Sequence, residues 1–297
     1  MKIVSWNCAG KFREDYNEIL KQNADIYVIQ ECEDPDAKYD KYKKYKEAVY
    51  KFAGGNVFWT GNLHYKGLGV FVNKDLNVEE ITTKGPYKHF MAFKIGNSFY
   101  LLAVWAMNKD KELGLPPYVE MIHDFLDENK DEELFDGTPI IMCGDFNSSA
   151  VFNPKHTYKR SHRDIHGNPK NHTCLDCKLN KKGLVSVYHE LTKEKSGEEK
   201  YATFFQARHF DEPFHLDYVY ASKELIKGKT TFKNEEKGNN LPNEFEILDK
   251  DEWISLSDHL PIIFTFDEEN LENLKKEKVD DEYSNIEKEC KKSDFNI

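Results

Sequence analysis

The sequence predicts a four-layer α/β sandwich, in which two packed mixed β-sheets are flanked by helices. Short runs rich in Val, Ile, Tyr, Phe and Trp recur along much of the 297 residues and are typical of strands. Helical periodicity interrupts these runs at only a few places. Several strands follow one another with no helix between them, which argues against a purely parallel, doubly wound sheet. Stacked sheets with helices outside therefore account best for the pattern.

The individual elements follow from these patterns in chain order. A strand is predicted over Lys2–Asn7 and a helix over 12–23, where Phe12, Tyr16 and Ile19 recur at helical spacing. Two further helices are predicted over 117–134, which opens on a proline pair, and over 172–182. A lysine-rich stretch, 38–51, is predicted as a helix with a solvated face. The other strands are predicted over 25–30, 56–60, 69–72, 90–95, 99–106, 139–143, 216–221 and 261–266.

Composition narrows the class of protein. Lys and Arg total 42 and Asp and Glu total 53, so the formal net charge is −11. This balance excludes a polycation that binds nucleic acid by charge alone. No apolar run approaches the ~20 residues of a membrane helix, and the first residues lack a signal-peptide pattern, so we expect no membrane partner. Six scattered cysteines indicate reduced thiols, a cytoplasmic protein and no disulfide-linked partner.

The chain is predicted to form one domain. No linker rich in Gly, Pro or Ser divides residues 1–267, whereas residues 268–297 are highly charged and contain few large apolar side chains. We expect this last segment to be a charged tail or a surface helix. The sequence carries no signal for a particular oligomeric state.

Polar residues are concentrated where predicted strands begin or end. Asn7, Glu31 and the run 144–147 follow strands, whereas 215–217 and 257–259 lie where later strands begin. In a sandwich with mixed strand directions, such ends and starts share one rim. Carboxylates and carboxamides are hard oxygen ligands for Mg²⁺ or Mn²⁺, and a His beside an Asp can act as acid, base or phosphate donor. The pattern predicts metal-assisted hydrolysis of a phosphoester.

These motifs occur in a familiar order. Ser5-Trp6-Asn7, Gln30-Glu31, Gly144-Asp145-Phe146-Asn147, His215-Leu216-Asp217-Tyr218 and Ser257-Asp258-His259 resemble those of the endonuclease/exonuclease/phosphatase superfamily, the group of exonuclease III, AP endonucleases and DNase I. The resemblance spans residues 1–267 and implies a DNase I-like fold with Mg²⁺ or Mn²⁺ as cofactor. It implies that Glu31 is the principal metal ligand, with Asn7 holding metal or phosphate beside it and Asp258 near the metal.

The same resemblance implies roles for the catalytic side chains. Asp145 orients and deprotonates the attacking water, and Asn147 donates to the phosphoryl oxygen. His259 faces the scissile phosphate, with Asp217 bonded to its other ring nitrogen. Asn7 is expected to assist this set.

The sequence departs from the family pattern at several places. Trp105 stands where the family has a Tyr or a His, and Asn108 stands at the Asn three residues beyond it, as in AP endonucleases. An indole N–H can donate a hydrogen bond but is no proton source. Ala9 and Glu33 replace residues that nucleases use for contacts. We treat Trp105 and Asn108 as candidate substrate contacts.

Basic residues beside the predicted rim suggest a partner. Arg160 and Arg163 lie in the basic segment 155–170, directly after the run 144–147, and are candidate contacts to a phosphate backbone. Lys66, which precedes a glycine turn, is a further candidate. The favoured function is therefore a metal-dependent nuclease acting on DNA or RNA by activated-water attack on phosphorus. The alternatives are a phosphatase or phosphodiesterase on a small-molecule or lipid phosphoester, and a non-catalytic binding module.

Overall fold

The structure is a computed structural model that describes residues 1–108, 114–130, 132–135, 137–153, 163–164, 167–226, 230–234 and 243–267. The predicted tail over 268–297 lies outside these residues. The first residues of the chain and the last described strand are paired, since Lys2 lies opposite Thr265 in an antiparallel ladder. The pairing closes one sheet around both ends of the domain.

Two large mixed sheets form the centre. Across the seven-stranded sheet the order is β13 (Thr230–Phe232), β14 (Asn243–Ile247), β15 (Ile262–Thr265), β1 (Lys2–Asn7), β2 (Ile26–Cys32), β4 (Lys66–Val72) and β3 (Val57–Leu63). Across the six-stranded sheet it is β5 (Val78–Ile81), β6 (Phe90–Ile95), β7 (Phe99–Trp105), β8 (Ile140–Asp145), β12 (Asp217–Ser222) and β9 (Leu184–Ser186). A hairpin of β10 (Phe204–Phe205) and β11 (Pro213–Phe214) stands apart.

Helices cover the outer faces of both sheets. The helices are α1 (Phe12–Leu20), α2 (Lys43–Ala53), α3 (Val119–Glu128), α4 (His172–Lys181), α5 (Val187–Thr192), α6 (Lys223–Ile226) and α7 (Lys250–Trp253). In α2, Tyr45, Val49 and Ala53 recur every four residues and are buried. This stripe packs on the seven-stranded sheet and leaves the lysines of the same helix in solvent. Helices α3 and α4 cover the six-stranded sheet through Phe125 and Leu175.

The architecture confirms the predicted four-layer sandwich. One core fills the space between the sheets and under α1 and α2, and the other lies beneath α3 and α4. Some predicted boundaries are wrong for local reasons. The helix predicted over 117–134 ends at Glu128, because the Asn129 side chain donates to the carbonyl oxygens of Phe125 and Lys84 and terminates it. The helix predicted over 12–23 ends at Leu20, before Asn23 with its positive φ of 50°.

Among the five cysteines within the described residues, one differs from the prediction. Cys8, Cys32, Cys143 and Cys174 are free thiols, and burial raises the pKa of the Cys143 thiol to about 12. Cys177 is in a disulfide, so the prediction of six reduced thiols is wrong for this residue. The helices in the described parts of the chain are all too short or too polar to cross a bilayer.

Candidate active site

The polar residues at the strand ends meet where the two sheets come together. Asp145 ends β8, and the sheet register places it opposite Trp105 of β7 and Asp217 of β12. Asn7 ends β1 in the other sheet, and its Nδ2 donates to Asp145 Oδ2 over 2.9 Å. His259 precedes β15, also in that sheet, and its Nδ1 lies 2.8 Å from Asp217 Oδ2. Two buried hydrogen bonds between side chains therefore link the sheets at this rim.

Asp145 is fully buried and has three donors. Besides Asn7, the backbone N–H and the Nδ2 of Asn147 each donate to its carboxylate over 2.8 Å. The backbone of Asn147 has a positive φ of 46°, a conformation that asparagine tolerates better than most residues. Burial raises the pKa of Asp145 to about 7, and the negative charge of Asp217 adds to the rise while His259 opposes it.

His259 is held on both its ring and its backbone. Its backbone N–H donates to Ser257 Oγ over 3.1 Å, and that hydroxyl donates to the Asn7 carbonyl over 2.7 Å. Burial alone would lower the pKa of the imidazole, but the charges of Asp217 and Asp145 outweigh it and raise the pKa to about 10. The second carboxylate oxygen of Asp217, Oδ1, is buried without a hydrogen-bond partner among the described residues.

Aromatic rings line the rim beside His259. The Phe204 ring lies 4.6 Å from the imidazole and 6.5 Å from Phe214, which in turn lies 5.1 Å from Phe152. Thr203 anchors this wall, because its hydroxyl accepts the backbone N–H groups of Leu216 and Asp217 over 3.0 Å each.

Glu31 owes its orientation to a bulge. The register between β2 and β4 shifts between Gln30 and Cys32, and Glu31 has a φ of 60° there. This left-handed conformation costs a non-glycine residue on the order of 1–2 kcal/mol. Its carboxylate is 22% exposed and accepts from Lys66 Nζ over 2.9 Å. The bulge thus takes Glu31 out of the regular alternation of side chains along β2, at the end of the strand that borders the candidate site.

Lys66 also covers the aromatic residue that departs from the family pattern. Its Nζ lies 5.5 Å above the Trp105 ring, within the range of a cation–π interaction. Trp105 is only 2% exposed, and the ring of His89 packs edge-on against it at 4.9 Å. Lys66, rather than the indole, is therefore the exposed group at this position.

Glu33 does not face the cleft as a free negative charge. Its side chain is fully buried, and the backbone N–H and guanidinium of Arg13 both donate to its carboxylate. Burial raises the pKa of Glu33, and Arg13 opposes that rise. The Arg13 side chain remains 25% exposed. Sequence analysis missed Arg13, because the two residues are 20 positions apart and no motif joins them.

The structure describes all but one of the remaining predicted residues. Asp258 is half-buried next to His259, and its carbonyl accepts from the Phe205 N–H over 2.8 Å. Asn108 is exposed beyond the end of β7. Arg163 is exposed and donates to the carbonyl of Gly167 in its own loop. Arg160 lies outside the described residues. Thr203 and Ser257, which hold Asp217 and His259, were not predicted as site residues, although Ser257 belongs to the motif Ser257-Asp258-His259; no motif includes Thr203.

Three side chains of this centre lie close enough together to hold a metal ion. Among the residues that the structure describes, Asp145, Asp217 and His259 offer ligand atoms that all lie within 4.8 Å of one another. Their atoms already share hydrogen bonds, since Asp217 engages the imidazole and three N–H groups engage Asp145. Glu31, in contrast, has an ammonium group as its neighbour and is partly exposed. Both groups offer oxygen donors that suit a hard divalent cation.

Comparisons with known proteins identify the fold and the family. The sequence model of the endonuclease/exonuclease/phosphatase family matches residues 4–259. An AP endonuclease from Archaeoglobus fulgidus is 15% identical, with a TM-score of 0.59 over 90% of this chain and 99% of that chain. The 3′ phosphatase NExo from Neisseria, solved with a product DNA hairpin, is 17% identical, with a TM-score of 0.57 over 90% and 99% of the two chains.

The catalytic domain of APE2 from Xenopus laevis is similar to the same extent, at 15% identity and a TM-score of 0.53 over 90% of this chain and 91% of that chain. At these identities the likeness establishes a shared fold. A comparison with curated proteins finds no significant match. The family match covers most of the chain and supports a hydrolase of phosphate esters. The chain belongs to the endonuclease/exonuclease/phosphatase family.

Proposed function

We propose that this protein is a metal-dependent nuclease that hydrolyses phosphodiester bonds of DNA or RNA. The proposal rests on one observation, which is that a proton acceptor and a proton donor lie side by side. A carboxylate with a pKa near neutrality, Asp145, lies within 4.8 Å of an imidazole that carries a proton, His259. A base and a proton-bearing donor on the two sides of one rim suit attack of water on a phosphate ester.

Asp145 is proposed to orient the attacking water and accept its proton. A general base works best when its pKa lies near the working pH, and burial brings Asp145 to about 7. The donors from Asn7 and Asn147 hold the carboxylate in one orientation. Its position is therefore defined before substrate arrives.

His259 and Asn147 are proposed to stabilise the negative charge that develops on the phosphoryl oxygens. Because Asp217 engages Nδ1, the protonated ring of His259 keeps Nε2–H for the substrate. A fixed donor of this kind is commonly worth ~3 kcal/mol of transition-state stabilisation. Asp217 acts through His259, by holding the ring and keeping it charged.

The residues fit a divalent cation. Glu31 is proposed as the principal ligand, with Asn7 and Asp258 beside it, and these side chains offer the hard oxygens that Mg²⁺ and Mn²⁺ prefer. The Lys66 ammonium, 2.9 Å from Glu31 Oε2, supports this choice, because it makes this carboxylate a partner of positive charge in the structure. When bound, the metal would neutralise phosphate charge as a Lewis acid. The trio of Asp145, Asp217 and His259 is less suited to this, because a metal there would displace the proton shared with His259.

Nucleic acid is the favoured substrate for two reasons. Lys66 and Arg13 carry positive charge where they pair with Glu31 and Glu33, and both remain partly exposed, in a chain with a net charge of −11. The structures with the same fold include an AP endonuclease and a phosphatase bound to a DNA hairpin. Arg160, Arg163 and Asn108 remain proposed contacts to the substrate backbone, whereas Trp105 is proposed to act indirectly, by supporting Lys66.

A second candidate function is hydrolysis of a small phosphoester. The acidic balance of the whole chain favours it, because long polyanions are repelled by a negative protein surface. The loop position of Arg163, which is bonded to its own Gly167, favours it as well.

One assay distinguishes the nuclease from the hydrolase of small phosphoesters. The protein is incubated with Mg²⁺ or Mn²⁺ and plasmid DNA, single-stranded DNA, structured RNA, an abasic duplex or bis(p-nitrophenyl) phosphate. We expect cleavage of a nucleic acid that stops with EDTA and falls at least about 100-fold in His259→Ala. Asp211→Asn, which removes an exposed charge, is the control. Turnover of the small ester alone would overturn the nuclease proposal in favour of the second function.

A further inference from the structure

A row of aromatic rings leads away from the proposed metal carboxylate. The turn between β3 and β4 carries His64 and Tyr65, whose rings lie 5.4 Å apart. His64 stacks on Tyr39 at 4.6 Å with an angle of 26° between the planes, and Tyr39 lies 5.5 Å from Tyr42. We call Tyr39, Tyr42, His64 and Tyr65 the aromatic row. It joins two segments of chain that no sequence motif connects.

The inner end of this row lies at the site. Tyr65 is followed directly by Lys66, the residue that binds Glu31 and covers Trp105. The other segment is attached to the same region, because the Asp34 N–H donates to the His64 carbonyl over 2.7 Å and Tyr45 Oη donates to the Glu33 carbonyl over 2.6 Å. The row is thus continuous with the proposed active site.

Two of the four rings in the row are exposed, whereas Tyr42 is buried. Tyr39 is 48% exposed and Tyr65 49%, and Leu63 at the tip of the same turn is 52% exposed. These three are among the few large hydrophobic residues with high exposure in the described parts of the chain. Such a cluster of exposed rings, with an apolar neighbour, is typical of a binding surface.

Lysines lie next to the row although the protein is acidic. Lys41 Nζ lies 5.8 Å from the Tyr39 ring and 5.2 Å from the Tyr42 ring. The stretch 38–51 has six lysines against two acidic residues. Lys38, Lys43 and Lys44 are exposed there. The charge and the rings therefore occupy one surface, which complements a ligand that is both aromatic and anionic.

We propose that the aromatic row binds a single-stranded stretch of nucleic acid whose scissile phosphate lies at the active site. Bases would stack on Tyr39 and Tyr65, and phosphates would lie against Lys41 and its neighbours, as in other surfaces that combine rings with a basic groove. This inference rests on the proposed nuclease function and specifies it: the strand must be unpaired on the side of the aromatic row. A duplex there would hide the faces of its bases.

Binding is measured with fluorescein-labelled oligo(dT) and oligo(U) of two and twelve nucleotides, by anisotropy in EDTA. We expect Tyr39→Ala to weaken binding of the preferred twelve-mer about tenfold, the size of one lost stack, and to leave binding of the dinucleotide unchanged. Tyr39→Phe keeps the ring and should bind like the wild type. Lys41→Glu should reduce the slope of log K against log salt by about 0.7 or more.

A matched control changes the same charge elsewhere. Lys21 is 66% exposed on the far side of the domain, near Gln22, whose carbonyl accepts from the first residue of β1. Lys21→Glu should therefore leave the salt slope close to that of the wild type. Thermal unfolding of each variant checks that the fold is intact, and His64→Ala replaces Tyr39→Ala if the latter unfolds.

The outcomes distinguish this inference from the proposed function. If the wild type cleaves nucleic acid but Tyr39→Ala and Lys41→Glu bind the twelve-mer like the wild type, the aromatic row is not the strand-binding surface. If those variants instead change only the sedimentation coefficient, the row is a contact between copies of the chain and the inference is overturned. If the wild type turns over bis(p-nitrophenyl) phosphate and no nucleic acid, the proposed function fails first.

Discussion

Two side chains at the rim have pKa values shifted in ways that suit opposite tasks. Burial and the charge of Asp217 raise the pKa of Asp145 to about 7, so this carboxylate exchanges its proton near neutral pH. The same group of carboxylates raises the pKa of His259 to about 10, against the effect of burial. Near neutral pH, Asp145 can therefore accept a proton while His259 remains protonated.

The pH dependence of turnover should follow from these two groups. We expect kcat/KM to rise as the pH passes through about 7, because Asp145 must lose its proton to act as a base. It should fall as the pH approaches about 10, because His259 then loses the proton it donates. The profile is measured with Mg²⁺ on the preferred substrate between pH 5 and the highest pH at which the metal stays in solution.

A substitution at Asp217 tests the assignment of the alkaline limb. Asp217→Asn keeps a hydrogen-bonding side chain but removes the charge that raises the pKa of His259. The alkaline limb should move to lower pH, and kcat should fall by about 100-fold or more. Asp211→Asn removes one exposed carboxylate and should change neither. An unmoved limb in Asp217→Asn would assign that limb to another group.

At the scale of elements, the strand that ends in Asp145 depends on a glycine. Gly144 has a φ of +144°, and a Cβ built there would lie 1.8 Å from the Val104 carbonyl oxygen. Strands β7 and β8 are parallel neighbours at this point, with Val104 opposite Gly144 and Trp105 opposite Asp145. A side chain at this position would push β8 away from β7, next to Asp145, the proposed general base.

Gly144→Ala should therefore destabilise the domain and misplace Asp145. We expect a loss of about 2–4 kcal/mol in the free energy of unfolding, measured by urea denaturation, since strain and a backbone clash act together. Gly55→Ala is the control, because nothing lies within 4 Å of its Cβ, and it should stay within about 0.5 kcal/mol. Gly10→Ala has open space but a φ of +75°, so it isolates the backbone strain. Equal losses in Gly144→Ala and Gly10→Ala would exclude the clash as the cause.

The sequence predicts elements better than it predicts their pairing. Strands such as Lys2–Asn7 and Phe90–Ile95 have the predicted bounds, because their apolar runs end at polar residues. The bulge at Glu31 was not predicted, since a bulge depends on the register with β4 and not on the run itself. The ends and starts of several strands do share one rim, as predicted, because the polar motifs lie where strands begin or end.

Contacts between distant segments account for what the sequence missed at the site. In the sequence, Glu33 indicated that a contact used by nucleases is lost. In the structure, Arg13 from another segment pairs with the Glu33 carboxylate and compensates its charge. Trp105 looked like a substrate contact, yet it is buried under Lys66. Stretch 38–51 was interpreted as a solvated face, and only the stacking of Tyr39 on His64 shows that it borders a surface near the site. Each case depends on which side chains fold together, and a single sequence does not contain that information.

At the scale of the whole molecule, the site belongs to neither sheet alone. Asn7 belongs to the seven-stranded sheet and His259 precedes its strand β15, whereas Asp145 and Asp217 come from the six-stranded sheet. The buried hydrogen bonds between them cross the interface that also contains the main core. A ligand that binds at this rim contacts both sheets, so its binding free energy adds to the stability of the whole domain.

The last prediction concerns metal and the stability of this assembly. Because a cation that binds only the folded state stabilises it by about 2.7 kcal/mol at 100 times its Kd, saturating Mg²⁺ or Mn²⁺ should raise the Tm of the wild type by about 5 °C. Glu31→Gln should lose this shift but keep nearly the same Tm without metal, since the Lys66 pair is partly exposed and water screens it, so that it contributes little. Glu18→Gln disrupts a comparable surface pair, with Lys21, and should keep the full metal shift. Differential scanning calorimetry of the three proteins, in EDTA and in each metal, measures both quantities. A full shift in Glu31→Gln would move the metal to Asp145, Asp217 and His259, and Asp217→Asn should then abolish it.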